Sequence, residues 1–250
     1  MNKNIFFFIF IFLFFSKKVI SQNKRLDSIN LEKINFFKNT NTDSLFFYCN
    51  KLEKSNNICK KLEAKTGRSY GYYREKKYAE AEKIATKVIH KVDSLNKLTN
   101  KTCLLNRKTT ALNRLFWIKK NQEKYEEAYS ILIKQENLTI NHPVKDQLNY
   151  RNKLGLKLSK AVIKNKLGMH HEATALLLNS ISEIKNPFLK NLQNDNFFIQ
   201  WQANLYNSLG NTYISLNNKA PNTNSILLDS AAYYYNKAYT ASKLLTPKHK

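Results

Sequence analysis

Glycine and proline are scarce, five and four in 250 residues, so the chain lacks the punctuation that many-stranded folds need and helices are favoured from the outset. A glycine-rich phosphate loop, a GxSxG elbow, an HExxH helix and a CxxC pair are all missing. Acidic residues are few, 18 against 42 lysines and arginines. They sit mostly beside lysines on exposed helix faces, which leaves no home for the paired carboxylates of acid-base catalysis. His170 and His171 are adjacent, so on a helix they point about 100° apart and do not chelate one metal as an i, i+4 pair does. A solvated turn beside Gly168 is their expected setting. No catalysis, no cofactor and no metal are expected. The three cysteines cannot all pair within one chain. Cys49 and Cys59 stand out of register for a disulfide, and buried thiols acting as small apolar residues are expected.

What is present is a chain with 42% hydrophobic and 24% charged side chains, enough to bury a core, and one folded region is expected. Residues 1–21 carry Lys3, an unbroken apolar run from Ile5 to Phe15, then Val19 and Ser21 in the arrangement a signal peptidase accepts. This reads as a secretory signal cut between Ser21 and Gln22. The run rises only about 16 Å as a helix against a hydrocarbon core of roughly 30 Å. Lys17 and Lys18, positive charge after the apolar run, support the minor alternative of an uncleaved anchor. Export to the periplasm or cell envelope follows. The formal charge of +24 falls to +21 when Lys3, Lys17 and Lys18 leave. The lysines are scattered through every helix rather than gathered into a strip, so no nucleic-acid partner is expected. Weak attraction to anionic surfaces is the residual consequence of the charge.

The stretch from Leu205 to Tyr239 organises the rest. Tyr206, Leu209, Gly210 and Tyr213 fall at offsets of three, four and seven, which places them on one helical face. Gly210 leaves room for a neighbouring helix. Ala231, Tyr235 and Ala238 follow at offsets of four and seven, a small-large-small stripe that faces the first helix. These residues resemble the tetratricopeptide repeat, whose pattern runs from a large residue through Leu-Gly and Tyr to Ala, an aromatic and a second Ala. About nine residues more than the family's usual turn separate the two halves, including Pro221. Such insertions are cheap, since each doubling of loop length costs only about 0.6 kcal/mol.

Upstream copies are read against this unit. Leu45, Cys49 and Leu52 repeat the second-helix stripe; Leu62, Ser69 and Tyr72 mark a first helix, and Ala81, Ala85 and Val88 its partner. Leu105, Leu112, Leu115 and Trp117 mark the next first helix. Tyr125, Ala128 and Leu132 mark its partner, with Gln135 where a small residue is expected. Pro143 opens a helix to about Leu167, and Ala173, Leu177 and Ser180 form the following stripe. Helices of this length are marginal alone, so stacking must stabilise them.

The resemblance implies an all-α, right-handed solenoid of antiparallel helix pairs. It divides the chain into a signal peptide at 1–21, an N-terminal capping segment at 22–41 and a helical repeat domain at 42–250. It implies a non-catalytic scaffold that binds a protein or peptide. Asn204, Asn207 and Asn211 are the expected inward-facing set, able to offer amide donors and acceptors. Some family members grip a peptide carboxylate with Lys and Arg at matched positions; Thr66, Leu158 and Asn207 stand there in this chain, so that clamp is not reproduced. The chain stops at Lys250 without a polar capping helix. Its last helix is therefore expected to meet a partner, a second copy or further sequence. An alternative, also from resemblance, is the exported sensor portion of a bacterial membrane regulator whose transmembrane and helix-turn-helix parts are absent here.

Overall fold

The computed structural model describes residues 24–96, 102–141, 147–184, 196–219 and 224–245. The expected signal and its cut between Ser21 and Gln22 lie outside them, as do Pro143 and Pro221. Among the described residues there are ten helices and no strands. They are α1 (24–37), α2 (Thr42–Leu52), α3 (Ile58–Arg74), α4 (Tyr78–Asn96), α5 (Thr102–Asn121), α6 (Tyr125–Asn141), α7 (Gln147–Lys166), α8 (His170–Glu183), α9 (Asn196–Lys219) and α10 (Asn224–Lys243). No described helix is long and apolar enough to cross a membrane. The fold is all-α, and the chain divides into two compact units after Ile118, a division finer than the single region expected.

Helix starts follow from the local sequence. The Asn41 side chain accepts the Ser44 N–H at 2.8 Å, and the Asn57 side chain accepts that of Cys59 at 2.9 Å, each satisfying a donor that a helix N-terminus leaves open. Helix ends repeat one device. Lys76, Glu123 and Gly168 have φ of 60°, 59° and 79°. The N–H of the next residue reaches back five positions at 2.9 Å each time, Lys77 to Tyr72, Lys124 to Lys119 and Met169 to Lys164. The left-handed residue itself bonds three positions back, to Tyr73, Lys120 and Asn165. This is the Schellman bond pair, made three times. Each turn is followed four residues on by the stripe alanine, whose N–H closes on the start of the new helix: Ala81 on Lys77, Ala128 on Lys124, Ala173 on Met169. All three alanines are fully buried. The turns lie 47 and 45 residues apart.

In unit 1, α2 packs on α3 and α3 on α4. Ile34, Leu45, Cys49, Leu52 and Ala64 form one cluster. Leu62 joins Ala85, Val88 and Val92 with Leu104 and Ala111 in another. The expected stripe of α5 is corrected here. Leu112 is buried, but Leu105, Leu115 and Trp117 are half-buried, and Leu104, Ala111, Phe116 and Ile118 go inside instead. Apolar residues surround α5, so spacing alone does not choose its inner face.

In unit 2, α6 packs on α7, α7 on α8, both α7 and α8 on α9, and α9 on α10. Leu154, Ala161, Leu177, Phe198, Trp201, Leu205 and Leu209 form the core. The indole N–H of Trp201 donates to the Leu154 carbonyl at 3.1 Å. Gly210 behaves as its spacing predicts: a Cβ there would lie 2.7 Å from the Tyr235 ring. Leu209, Ala231 and Ala238 are buried, and Tyr213 stacks on Tyr234 with ring centroids 5.7 Å apart.

Two further expectations are overturned. Cys59 and Cys103 are joined as a disulfide across a Cα separation of 6.1 Å, inside the range a disulfide accepts. Only Cys49 is a buried free thiol, and burial pushes it up to about 12. His170 is not solvated. It opens α8 in the slot that Tyr78 and Tyr125 fill after the other two turns, is buried, and has its Nδ1 2.6 Å from the Asn165 Oδ1. Desolvation, then Lys219 and His171, lower its pKa. His171 is exposed.

Candidate functional site

The expected amides of Asn204, Asn207 and Asn211 all lie on an exposed face of α9. Two of them are engaged within the chain. Asn204 accepts from the Gln200 amide at 3.2 Å, and Asn211 accepts from the Tyr235 hydroxyl at 2.7 Å. Asn211 thus braces the ring that enters the Gly210 recess.

A groove of about 410 Å³ lies instead in unit 1, walled by α1, α3 and α5. That volume falls within the range of ligand pockets. Each wall presents one helical face. Glu63, Thr66, Gly67 and Tyr70 on α3 are spaced by three, four and seven, and Arg107, Thr110 and Arg114 on α5 by three and seven. From α1 come Leu31, Ile34 and Asn35, with Lys38 and Asn39 just beyond its end. Gly67 keeps the floor thin; a Cβ there would lie 2.9 Å from the Cys49 sulfur, the stripe residue of α2.

Local bonds hold the walls. The Tyr70 hydroxyl donates to the Asn39 Oδ1 at 2.7 Å, and the Arg74 guanidinium donates to the Lys38 carbonyl at 2.8 Å, which together fasten the end of α1 to α3. Arg107 lies 3.0 Å from Glu63, which also meets Lys60 at 3.8 Å. The disulfide sits one turn before this pair, since Cys59 and Cys103 precede Glu63 and Arg107 by four residues each. It therefore sets the spacing of the α3 and α5 walls at one end of the groove.

Arg114 is held differently. Its guanidinium lies 4.3 Å from the Tyr70 ring centroid and 4.7 Å from that of Tyr73. Burial brings its pKa down to about 10, against the opposing pull of the two tyrosines. Its Nε is enclosed without a hydrogen-bond partner among the described residues. Sequence reasoning missed this site because it weighed the lysines as a scattered whole. The recoverable signal was the pair of arginines seven residues apart on one face of α5.

Among the described residues no group of three or more His, Cys, Asp or Glu side chains is placed to hold a metal ion. No protein-family model, no curated protein and no solved structure matches the chain.

Proposed function

We propose that the chain is a non-catalytic scaffold, a right-handed solenoid of antiparallel helix pairs of tetratricopeptide-like kind, that binds a protein or peptide segment in the groove of unit 1. The observation that carries this reading is the groove itself, whose walls come from three alternate helices that offer polar side chains at helical spacing, with the ring of Tyr70 on the α3 wall. Three matching turns, each with its buried alanine, support the repeat architecture. Their spacing of 47 and 45 residues exceeds the unit of about 34 in the family resembled, so the helices are longer versions of the family's. Export to the cell envelope is supported by the Cys59–Cys103 disulfide, since disulfides persist in oxidising compartments.

A photo-crosslinking residue placed at Thr110, at Asn207 or at exposed Lys87 tests this reading in envelope extract. Groove binding gives one defined adduct at Thr110, identified by mass spectrometry, and none at Lys87. An adduct at Asn207 alone moves the binding face to α9, and equal yields at all three positions sink the reading.

A further inference from the structure

Elsewhere in the chain the scarce acids are spent on lysines: Asp93 on Lys108 at 2.5 Å, Glu136 on Lys160 at 2.8 Å, Glu172 on Lys164 at 2.5 Å. Arg114 receives none. It forms no ion pair among the described residues, and its contacts are the two tyrosine rings. A cation drawn out of water without a counter-ion is costly, and ring faces offset only part of that. They also leave the donors at the rim of the guanidinium unused. Its Nε is sealed in, whereas the two Nη groups are not among the enclosed atoms and have no hydrogen-bond partner among the described residues, and Arg114 lines the groove.

The surroundings have the same bias. Lys38, Arg107 and Arg114 face a single carboxylate, Glu63, which Arg107 and Lys60 already occupy. The Asn39 oxygen is taken by Tyr70, so its amide N–H groups are left to donate, and the Asn35 side chain has no partner among the described residues. We infer that the groove binds an acidic peptide segment, one carboxylate of which seats on the Nη edge of Arg114 between Tyr70 and the α5 wall. This rests on the groove being a peptide site. The planar fork of a guanidinium suits the two oxygens of a carboxylate. With Arg107 already paired to Glu63, Arg114 and Lys38 alone do not make the track of cations that a polyanion or a lipid surface would need.

A random peptide library displayed on phage and selected on the immobilised protein tests the inference. Selected sequences should be enriched in Asp and Glu. A synthetic peptide from the selection should lose at least about tenfold in affinity when its acid is changed to the amide, and a similar amount against Arg114→Met. Arg114→Lys, which keeps the charge and loses the planar fork, should fall between. Lys38→Gln should weaken binding less, and Arg68→Met, whose charge pairs with Glu53 outside the groove, should leave it unchanged. Circular dichroism of each variant separates lost binding from lost fold, and Lys38→Gln carries the test if Arg114→Met does not fold. Selected peptides without acidic enrichment that a Thr110→Trp block still displaces would overturn the anion and leave the peptide groove standing. No selection at all would remove both. Binding to anionic vesicles that needs Arg114, with no peptide selected, would overturn the inference in favour of lipid.

Discussion

Unit 1 and unit 2 both use a glycine to admit an aromatic ring, but the ring arrives from opposite directions along the chain. In unit 1 the recess is on α3 and the ring comes from the preceding helix: a Cβ at Gly71 would lie 2.5 Å from Phe46 of α2. In unit 2 the recess is on α9 and the ring comes from the following helix, Tyr235 of α10. A glycine in a first helix therefore does not by itself say which neighbour it serves. The units also differ in what fastens them. Unit 1 has a disulfide and an arginine without a counter-ion among the described residues; unit 2 relies on packing around Trp201 and the Tyr206, Tyr213 and Tyr234 rings. Each unit holds one of the two tryptophans, Trp117 or Trp201. Trp201→Phe and Trp117→Phe backgrounds thus report the melting of one unit at a time.

The largest contrast should come from the disulfide. Its sequence separation of 44 gives about 4 kcal/mol in the chain-entropy picture. Cys103→Ala, or reduction, should lower urea stability read at Trp117 and leave the Trp201 transition in place; a drop at Trp201 alone would break the comparison. Next is the alkaline limb of unit 1. Cys49 titrates near 9 unfolded and about 12 folded, so its contribution is complete below pH 9 and is lost as pH rises toward 12. The loss is about 1.4 kcal/mol per pH unit in that window. Cys49→Ala should start lower at pH 7 and show a flatter decline, and an unchanged alkaline slope would refute the assignment.

The recesses themselves rank third. Overpacking costs roughly 1–3 kcal/mol, and about 1 kcal/mol returns from replacing a helical glycine by alanine. Tyr235 is tethered by its hydroxyl to Asn211, whereas no hydrogen bond tethers the Phe46 ring, which can swing. Gly210→Ala should therefore cost more than Gly71→Ala, and the reverse order in thermal melts would mean the tether does not hold the ring. Smaller still are the turns. Gly168→Ala should cost about 1 kcal/mol, and Lys76→Gly should gain a fraction of that, because L side chains resist positive φ. Gly155→Ala, with nothing among the described residues within 4 Å of the added Cβ, should gain at most about 1 kcal/mol.

The alanine stripes and the Gly210 recess were readable because they are local: small residues at offsets of four and seven have few reasons to recur except close helix contact. The inner face of α5 was not, since Leu104, Leu105, Trp117 and Ile118 spread around the helix and give every direction an apolar claim. The disulfide joins residues 44 apart, and no periodicity encodes that distance. His170 was misplaced because it was read as a neighbour of His171 rather than as the successor of Tyr78 and Tyr125, a correspondence visible once the shared alanine is aligned. The groove escaped because it draws on three helices, each with an unremarkable face of its own.

The recurring turn has a consequence for how such a chain lengthens. Lys76, Glu123 and Gly168 offer three interchangeable splice points: joining Lys76 directly to Lys124, or Glu123 to Met169, presents the same donors to the same carbonyl positions, so a whole hairpin could be deleted or duplicated in frame with no new connection to invent. Only the first excision would orphan a half-cystine, Cys59. Oxidative pairing, more than backbone geometry, would decide which hairpins are free to be lost.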